Sequence, residues 1–549
     1  MTRLLECVPN FSEGRDPRII QQITDRIAAV EGVRLLNVDP GKATNRTVVT
    51  FVGAPEAVVE AAFQAIKVAG ELIDMRHHSG EHPRMGATDV CPLVPISGVT
   101  MAEAAEYARQ LGERVGRELN LPVYLYEAAQ LDPARKNLAV IRAGEYEGLS
   151  RKIVRPEWRP DFGPAAFDAP RGATVIGARD FLVAYNVNLN TTSTRRAYAI
   201  AFDVREAGRS VKQPDGSEVT QPGTLKAVKA IGWYIPEYGV AQVSMNLTDI
   251  AVTPVHVAFD EVCRAAAERG VRVTGSELVG LVPLQCLLDA GRYFLEKQQR
   301  SVGVSEAELV KIAVRSLGLD ELTPFVPEER VIEYLLRDPS ATRLVAMTVA
   351  QFAAETAAES AAPGGGSVSA AVGAFGAALG TMVANLSSHK RGWDHRWKEF
   401  SDHAEQGQRA VQQLLFLVDE DTRAFDRVMA GFAMPRGTDE EKAARRAAID
   451  TATLEATRIP FRVMETVLGV MPLIKLMAEA GQPSSVSDAG VGMLCARAAV
   501  MGAYLNVQIN ASSLKGNAEA AELVARGAGM AQRAQQLEDE TLAVVRGKM

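Results

Sequence analysis

Up to about Pro327, β-branched runs alternate with segments of helical periodicity. Beyond it, strand signals nearly vanish. This switch constrains the fold more than any other feature of the chain. Alternating period-two and period-3.6 segments predict layered α/β units, and an unbroken run of helical segments predicts a bundle. At 549 residues the chain exceeds what one hydrophobic core serves. The expected fold class is therefore α/β, in two subdomains over 1–180 and 181–330. A linker at 331–342, marked by Arg337-Asp338-Pro339-Ser340, then leads to an all-α helical bundle over 343–549.

In the first subdomain, Leu4–Val8 reads as a strand ending in the polar loop Pro9–Arg15, and Pro17 suits the first turn of a helix to about Val30. Strands are expected at Val33–Val38, Thr47–Val52, Val90–Ile96 and Pro122–Tyr126, with helices at Glu56–Ile73 and Met101–Glu118. The connector Trp158–Pro164 is rich in Pro, Gly and aromatics. Beyond it, strands are expected at Ala173–Ile176, Phe181–Asn188, Ile231–Ile235 and Val240–Asn246, and helices at Thr194–Val204, Pro254–Arg269 and Pro283–Gln298. Arg209–Gly223 reads as a polar hairpin. The bundle helices are expected at Thr348–Ala361, Val368–Ser387, Trp397–Met429, Asp439–Leu468, Pro472–Ala480, Val491–Ile509 and Ala518–Arg546, with Ser487 a candidate cap for the sixth.

The chemistry concentrates in Glu81-His82-Pro83-Arg84-Met85-Gly86-Ala87-Thr88-Asp89-Val90-Cys91-Pro92. Pro83, Gly86 and Pro92 prevent one regular helix, so an imidazole, a guanidinium and a carboxylate share a loop. Histidine's ordinary pKa suits proton transfer near neutrality, which makes His82 an acid–base candidate against the blander reading of a surface histidine. Arg84 could orient a substrate carboxylate or serve a structural ion pair. His77, His78 and His82 are weak metal ligands, because Gly80 and Pro83 break the helix that the four-residue spacing would need, and no Asp/Glu/Cys cluster completes a shell. Cys91 reads as a small buried hydrophobe.

In the bundle, Pro363-Gly364-Gly365-Gly366-Ser367 lies between two helices, with Ser367 placed to cap the second. Side-chain-free N–H groups at a helix start bind anions, so Gly365, Gly366 and Ser367 are ligand-binding candidates; a Gly-rich turn is also a plain connector. Val418-Asp419-Glu420-Asp421-Thr422 puts three carboxylates mid-helix. Such a run is usually a solvated face, but one carboxyl turned inward would have a raised pKa and could donate a proton.

The net charge of −7 leaves no electrostatic footprint for nucleic acid. The five cysteines, at 7, 91, 263, 286 and 495, have no paired or metal spacing, which fits a reducing cytoplasm. The N-terminus lacks an apolar stretch long enough for a signal peptide. Val368–Leu386 is 19 residues without a charge, dominated by Ala and Gly; as the one such stretch it is expected to be a buried helix rather than a membrane span.

Taken together, several of these stretches resemble one family. Glu6–Arg15, His82-Pro83-Arg84-Met85-Gly86-Ala87 and Ile141-Arg142-Ala143-Gly144-Glu145-Tyr146-Glu147-Gly148-Leu149 are similar to glutamate formimidoyltransferases. Pro363–Ser367, Leu417–Phe425 and Gly502-Ala503-Tyr504-Leu505-Asn506-Val507 are similar to formimidoyltetrahydrofolate cyclodeaminases. Their order matches the bifunctional enzymes of histidine breakdown. The resemblance implies transfer of the formimidoyl group from N-formimidoyl-L-glutamate to tetrahydrofolate, followed by cyclisation to 5,10-methenyltetrahydrofolate with loss of ammonia. It implies His82 as the transferase acid–base residue and Asp421 as the cyclodeaminase proton donor. Folate contacts fall on Gly163-Pro164-Ala165-Ala166-Phe167-Asp168-Ala169-Pro170-Arg171-Gly172, where Asp168–Arg171 departs from the family's pattern. Folate is itself the one-carbon carrier, so tetrahydrofolate is expected as co-substrate with no metal or nucleotide. The partners expected are these small molecules and further copies of the chain, with no nucleic acid and no membrane span. Two rivals remain: a formyl transferase paired with a methenyltetrahydrofolate cyclohydrolase, and a non-catalytic folate-binding scaffold.

Overall fold

The structure, a computed structural model, describes residues 3–42, 44–80, 82–213, 215, 217–337, 344–359 and 362–549. Glu81 and most of the Arg337–Ser340 linker signal lie outside the described residues. The chain forms two compact units, Met1–Cys286 with Leu317–Leu336, and Leu287–Ser316 with Arg337–Met549.

The first unit begins β1 (Leu4–Cys7), β2 (Asn10–Phe11), α1 (Pro17–Ala28), β3 (Val33–Gly41), β4 (Arg46–Gly53), α2 (Pro55–Leu72), β5 (Thr88–Ser97) and α3 (Met101–Glu118). It continues through β6 (Val123–Glu127), α4 (Leu138–Arg142), α5 (Glu145–Lys152) and β7 (Thr174–Ala178). These strands make one sheet in which β1 and β2 lie successively between β4 and β5, β3 flanks β4, and β5, β7 and β6 run parallel. Side chains alternate across it. Leu5, Cys7, Phe11, Val49 and Phe51 pack with α1, α2 and α3 into a core. Glu6, Val8, Asn10, Arg46, Val48 and Thr50 point to the opposite face, where a cavity lies.

The other wall of that cavity comes from a second sheet. After β8 (Val183–Leu189) come α6 (Thr194–Val204), the hairpin β9 (Arg209–Lys212) and β10 (Glu218–Gln221), β11 (Val228–Ile235), β12 (Val240–Leu247), α7 (Val255–Ala267) and β13 (Val273–Val279). The order β11-β12-β8-β13 is antiparallel throughout. The sequence reading lacks α4, α5 and β13. The two helices are short and interrupted by Gly144, and β13 carries Gly275 and Glu277 where a strand signal needs apolar or β-branched residues.

Next come α8 (Leu284–Lys297), α9 (Glu306–Leu317), α10 (Pro327–Arg330) and α11 (Ile332–Leu335). The second unit takes in Leu287–Ser316 because its loop is seated on the bundle: Val302 N–H donates to Ser401 Oγ at 3.1 Å and Asn385 Nδ2 to Gly303 O at 2.8 Å. The bundle itself is α12 (Val349–Thr356), α13 (Gly365–Ser388), α14 (Trp397–Ala433), α15 (Asp439–Ala480), α16 (Val486–Ser512) and α17 (Ala518–Lys548).

Glycines let α13 sit close to its neighbours. A Cβ on Gly373 would come 2.7 Å from Val467 Cγ2, one on Gly376 2.8 Å from Gly492 O, and one on Gly380 2.9 Å from Ile474 Cγ1. The Ala/Gly composition of Val368–Leu386 is thus a packing requirement. A second segment, Pro483–Ser512, is also long and apolar enough to cross a membrane, where the sequence reading has one; 61% of the α13 window and 44% of the other are buried inside the unit.

Three expected boundaries change. Asp439–Ala480 is one helix through Pro460 and Pro472, not two. Pro460 has no N–H for Ala456 O, and Asn510 Nδ2 donates to that carbonyl instead, at 2.8 Å. Ser367 is the third residue of α13 rather than its cap, because the helix begins at Gly365. Ser487 is likewise inside α16, which begins at Val486.

Candidate active sites

In the first unit, the three amino-terminal motifs meet around His82. Ser12 N–H donates to Ala87 O at 2.9 Å and Ser12 Oγ to Gly86 O at 2.8 Å, tying the first motif to the His82 loop. The third motif grips the other side. Arg142 pairs with buried Asp89, whose Oδ1 also accepts from Met85 N–H at 3.0 Å, and Tyr146 N–H donates to Arg84 O at 2.9 Å.

His82 opens onto a cavity of about 460 Å³ also lined by Glu6, Asn10, Arg46, Tyr126, Arg142, Arg179 and Lys229. Its Nδ1 lies 2.7 Å from Pro83 O. A carbonyl only accepts, so Nδ1 carries the proton and Nε2 keeps its lone pair. Arg46 donates to Nε2 through Nη1 and to Asn10 Oδ1 through Nη2. Burial first, then the positive charges of Arg46 and Arg142, lowers the His82 pKa to about 4. At neutral pH the ring is a neutral base with its lone pair at the cavity.

Arg84 is committed to protein partners: Glu147 at 2.7 and 2.9 Å, Glu145 at 3.4 Å and His78 O at 3.2 Å. Of the two readings open in the sequence, the geometry favours the structural ion pair. His78 holds Asn45 O through Nε2 at 2.8 Å and accepts from Arg84 Nε at Nδ1, so both ring nitrogens are engaged. Cys91 is buried with its sulfur 3.5 Å from that of Cys7.

Gly163–Gly172 does not line the His82 cavity; it braces the loop from behind. Arg171 O accepts from Ala87 N–H at 2.8 Å and Pro170 O from Met75 N–H at 2.8 Å. Gly172 has φ +72°, and a Cβ there would lie 2.1 Å from Met85 O. Phe167 packs on Tyr146, whose hydroxyl donates to Ala169 O at 2.5 Å. In the Asp168–Arg171 departure, Arg171 N–H and Nε bond the Asp168 carboxylate at 3.0 and 2.8 Å, closing the turn on itself.

In the second unit, the three carboxy-terminal motifs also converge, from α13, α14 and α16. Asp421 turns inward onto the start of α13, where Ser367 Oγ lies 3.1 Å from its Oδ2 and Ser367 N–H donates to it. A Cβ on Gly366 would sit 2.2 Å from Asp421 Oδ1, so the carboxyl reaches the helix start only because residue 366 is glycine. A Cβ on Gly365 would touch Asn506 Nδ2 at 3.2 Å, and one on Gly502 would collide with Ser369 Oγ at 2.3 Å. Burial raises the Asp421 pKa against the lowering by its Ser367 bonds. Asp419, more buried than the half-buried Asp421, points elsewhere, accepting from Leu344 N–H at 2.9 Å, and Glu420 pairs with Arg423 at 2.6 Å.

Sequence reasoning did not single out Glu6, Asn10 or Arg46 as site residues. Their signal is a set of polar residues on the same alternate positions as Val8 and Val48, which reads equally as a solvated face.

Sequence profiles of known families match in succession along the chain. The formiminotransferase domain N-terminal subdomain covers residues 4–179, the formiminotransferase domain 184–337, and the formiminotransferase-cyclodeaminase domain 348–528. The formimidoyltransferase-cyclodeaminase of Rattus norvegicus is 44% identical over 93% of each chain. The glutamate formimidoyltransferase of Thermoplasma acidophilum is 45% identical over 53% of this chain and 92% of its own. The methenyltetrahydrofolate cyclohydrolase of Methylorubrum extorquens is 35% identical over 31% of this chain and 81% of its own.

The His82 environment has a direct readout. Followed by NMR, its ring resonance should titrate near pH 4, and Arg46→Ala should move the midpoint upward by removing a positive neighbour. A midpoint at the ordinary value near 6.5 would show that the ring is neither desolvated nor held against Arg46.

Proposed function

The chain belongs to the formimidoyltransferase-cyclodeaminase family, and we propose that His82 and Asp421 are the groups that handle protons in its two reactions. It transfers the formimidoyl group of N-formimidoyl-L-glutamate to N5 of tetrahydrofolate. It then cyclises 5-formimidoyltetrahydrofolate to 5,10-methenyltetrahydrofolate and releases ammonia. The reading of the sites is carried by one observation: six motif segments, far apart in sequence, collapse onto two constellations, one around His82 and one around Asp421.

In the transfer, N5 attacks the formimidoyl carbon and loses its proton to His82 Nε2, where the substrate replaces Arg46. The imidazolium, its Nδ1–H held by Pro83 O, returns that proton to the glutamate nitrogen as the carbon–nitrogen bond breaks. In the cyclisation, N10 adds to the carbon of the amidine in its protonated form, whose exocyclic nitrogen then carries two hydrogens. Asp421 protonates the exocyclic nitrogen, ammonia leaves, and the proton lost by N10 reloads the carboxyl. A carboxyl with a raised pKa suits that role. The free N–H groups at the start of α13 suit a folate carboxylate or the pterin carbonyl. Folate contacts from Gly163–Gly172 would fall on the part of the molecule beyond the cavity.

The cyclohydrolase relative favours a second reading, formyl transfer followed by methenyltetrahydrofolate hydrolysis. Supplying formimidoylglutamate and tetrahydrofolate separates the two, since only the first reading yields ammonia with the methenyl product. In the same assay, His82→Ala should cut transfer by about 10²–10⁴-fold while supplied 5-formimidoyltetrahydrofolate is still cyclised. Asp421→Asn should do the converse, accumulating the 5-formimidoyl compound. Near-wild-type transfer by His82→Ala sinks the first role, and an Asp419→Asn variant that alone blocks ammonia release sinks the second. Unchanged activity in all three variants would instead point to chemistry elsewhere.

We extend the proposal to setting and assembly. Five cysteines with no paired or metal spacing support a reducing cytoplasm. Exposed apolar side chains line α16 at Val491, Leu494, Leu505 and Ile509, the last two 61% and 66% exposed, and α13 adds Phe375 at 57%. A second copy of the chain would cover this face. Light scattering should find an oligomer that Leu505→Asp with Ile509→Asp dissociates; a monodisperse wild-type monomer refutes the assembly.

A further inference from the structure

The His82 cavity holds a second carboxyl that the mechanism leaves unused. Glu6 lies on β1, four positions from Asn10 and on the same face of the sheet. Its register partners are Val52 and Val94, whereas Asn10 is level with Val48 and Val90. Asn10 shares Arg46 with His82. Glu6 therefore stands at the far end of the cavity from His82, offset by about four strand residues or ~13 Å of backbone. It is only 4% exposed, yet among the described residues its carboxyl has no side-chain hydrogen bond and no ion pair within 4 Å. A carboxyl without a protein partner at a cavity wall is open to a ligand that donates hydrogen bonds to it.

We propose that Glu6 recognises the pterin ring of tetrahydrofolate, accepting hydrogen bonds from its 2-amino group and N3–H. This assignment rests on the transfer reaction argued above. The two N–H groups lie side by side, a fork that matches the two oxygens of a carboxylate. They sit at the end of the bicycle remote from the substituted ring, while N5 is on the other ring. A pterin anchored at Glu6 thus reaches back toward His82 with N5 leading, and the separation of the two side chains is spanned by one bicyclic ring with a hydrogen bond at each end. The amidine of the other substrate must meet N5 beside His82, which leaves Glu6 out of its reach.

Electrostatics agree with the geometry. Burial lifts the Glu6 carboxyl to about 7, with Arg179 opposing and Glu333 adding to the rise. Such a carboxyl lacks a counterpart in the free protein, and a double N–H donor supplies one. The carboxylate also discriminates: a ring bearing acceptors or a methyl group at the same edge would leave it unpaired.

The test uses the full chain and two ligands, tetrahydrofolate and its 2-desamino-2-methyl analogue. Wild type should show a KM for the analogue higher by roughly 10- to 100-fold, the loss expected on removing charge-assisted hydrogen bonds. Glu6→Gln should raise the KM for tetrahydrofolate by a similar factor and no longer distinguish the two ligands. Its KM for N-formimidoyl-L-glutamate should stay within about threefold. The wild-type comparison needs no variant, so a misfolded Glu6→Gln does not remove the test. Equal KM values for the two ligands in wild type overturn the assignment, as does a Glu6→Gln variant that loses affinity only for formimidoylglutamate. A wild-type chain that transfers no formimidoyl group fails at the function itself, whereas one that transfers but ignores the 2-amino group fails only at Glu6.

Discussion

The two-residue period of the first sheet is the constraint on which the transferase unit depends. Each strand must be apolar on one side, where α1, α2 and α3 cover it, and polar on the other, where the cavity lies. Leu5, Cys7, Phe11, Val49 and Phe51 serve the first face; Glu6, Asn10 and Arg46 serve the second. A one-residue slip of β1 would bury Glu6 under α2 and turn Leu5 into the cavity. The same alternation therefore builds the core and delivers the chemistry, and the loop carrying His82 is held by both flanking motifs.

The bundle works by a different constraint, the absence of side chains. Glycines on α13 bring its backbone against α15 and α16, and Gly366 admits the Asp421 carboxyl to within reach of the helix start. The approach matters because a carboxyl anywhere else along α13 would meet N–H groups already bonded within the helix. Ser367 then holds it by backbone and side chain. Small residues that look like filler in the sequence are what make the second constellation possible.

Much of this was legible in the sequence, and the failures have physical causes. Helices with clear caps and clean periodicity, Met101–Glu118 and Thr194–Val204, fall where the pattern places them. Asp439–Ala480 does not, because Asn510, far away in sequence, replaces the hydrogen bond that Pro460 removes. Strand β13 was invisible for want of apolar alternation, whereas α9 carried a start signal that went unread, Ser305 followed three residues later by Glu308, whose N–H donates to Ser305 Oγ at 3.3 Å. Within the sites, His82 and Asp421 stood out as titratable groups in unusual settings, while Glu6, Asn10 and Arg46 were hidden in strands whose polar alternation has two readings. Arg84 shows the converse. Its place in the motif suggested a ligand, and its charge is spent on Glu145 and Glu147.

Burial tunes both groups proposed to handle protons, with opposite results that follow from the charge of each conjugate form. Desolvation disfavours the charged state, so it lowers an imidazole's pKa and raises a carboxyl's. At His82 the neighbouring Arg46 and Arg142 push in the same direction as burial, and the ring is left as a neutral base. At Asp421 the Ser367 bonds oppose burial without cancelling it, and the carboxyl is left biased toward the acid. The first reaction must remove a proton from N5 before it can deliver one, so it needs a base in the resting site. The second must protonate a departing nitrogen, so it needs an acid. A histidine near a carboxylate, or an aspartate near an arginine, would each have been biased toward the wrong form. The arginines around His82 therefore reinforce what burial does to the ring, whereas at Asp421 burial alone raises the carboxyl and the Ser367 hydroxyl holds it in place against that rise.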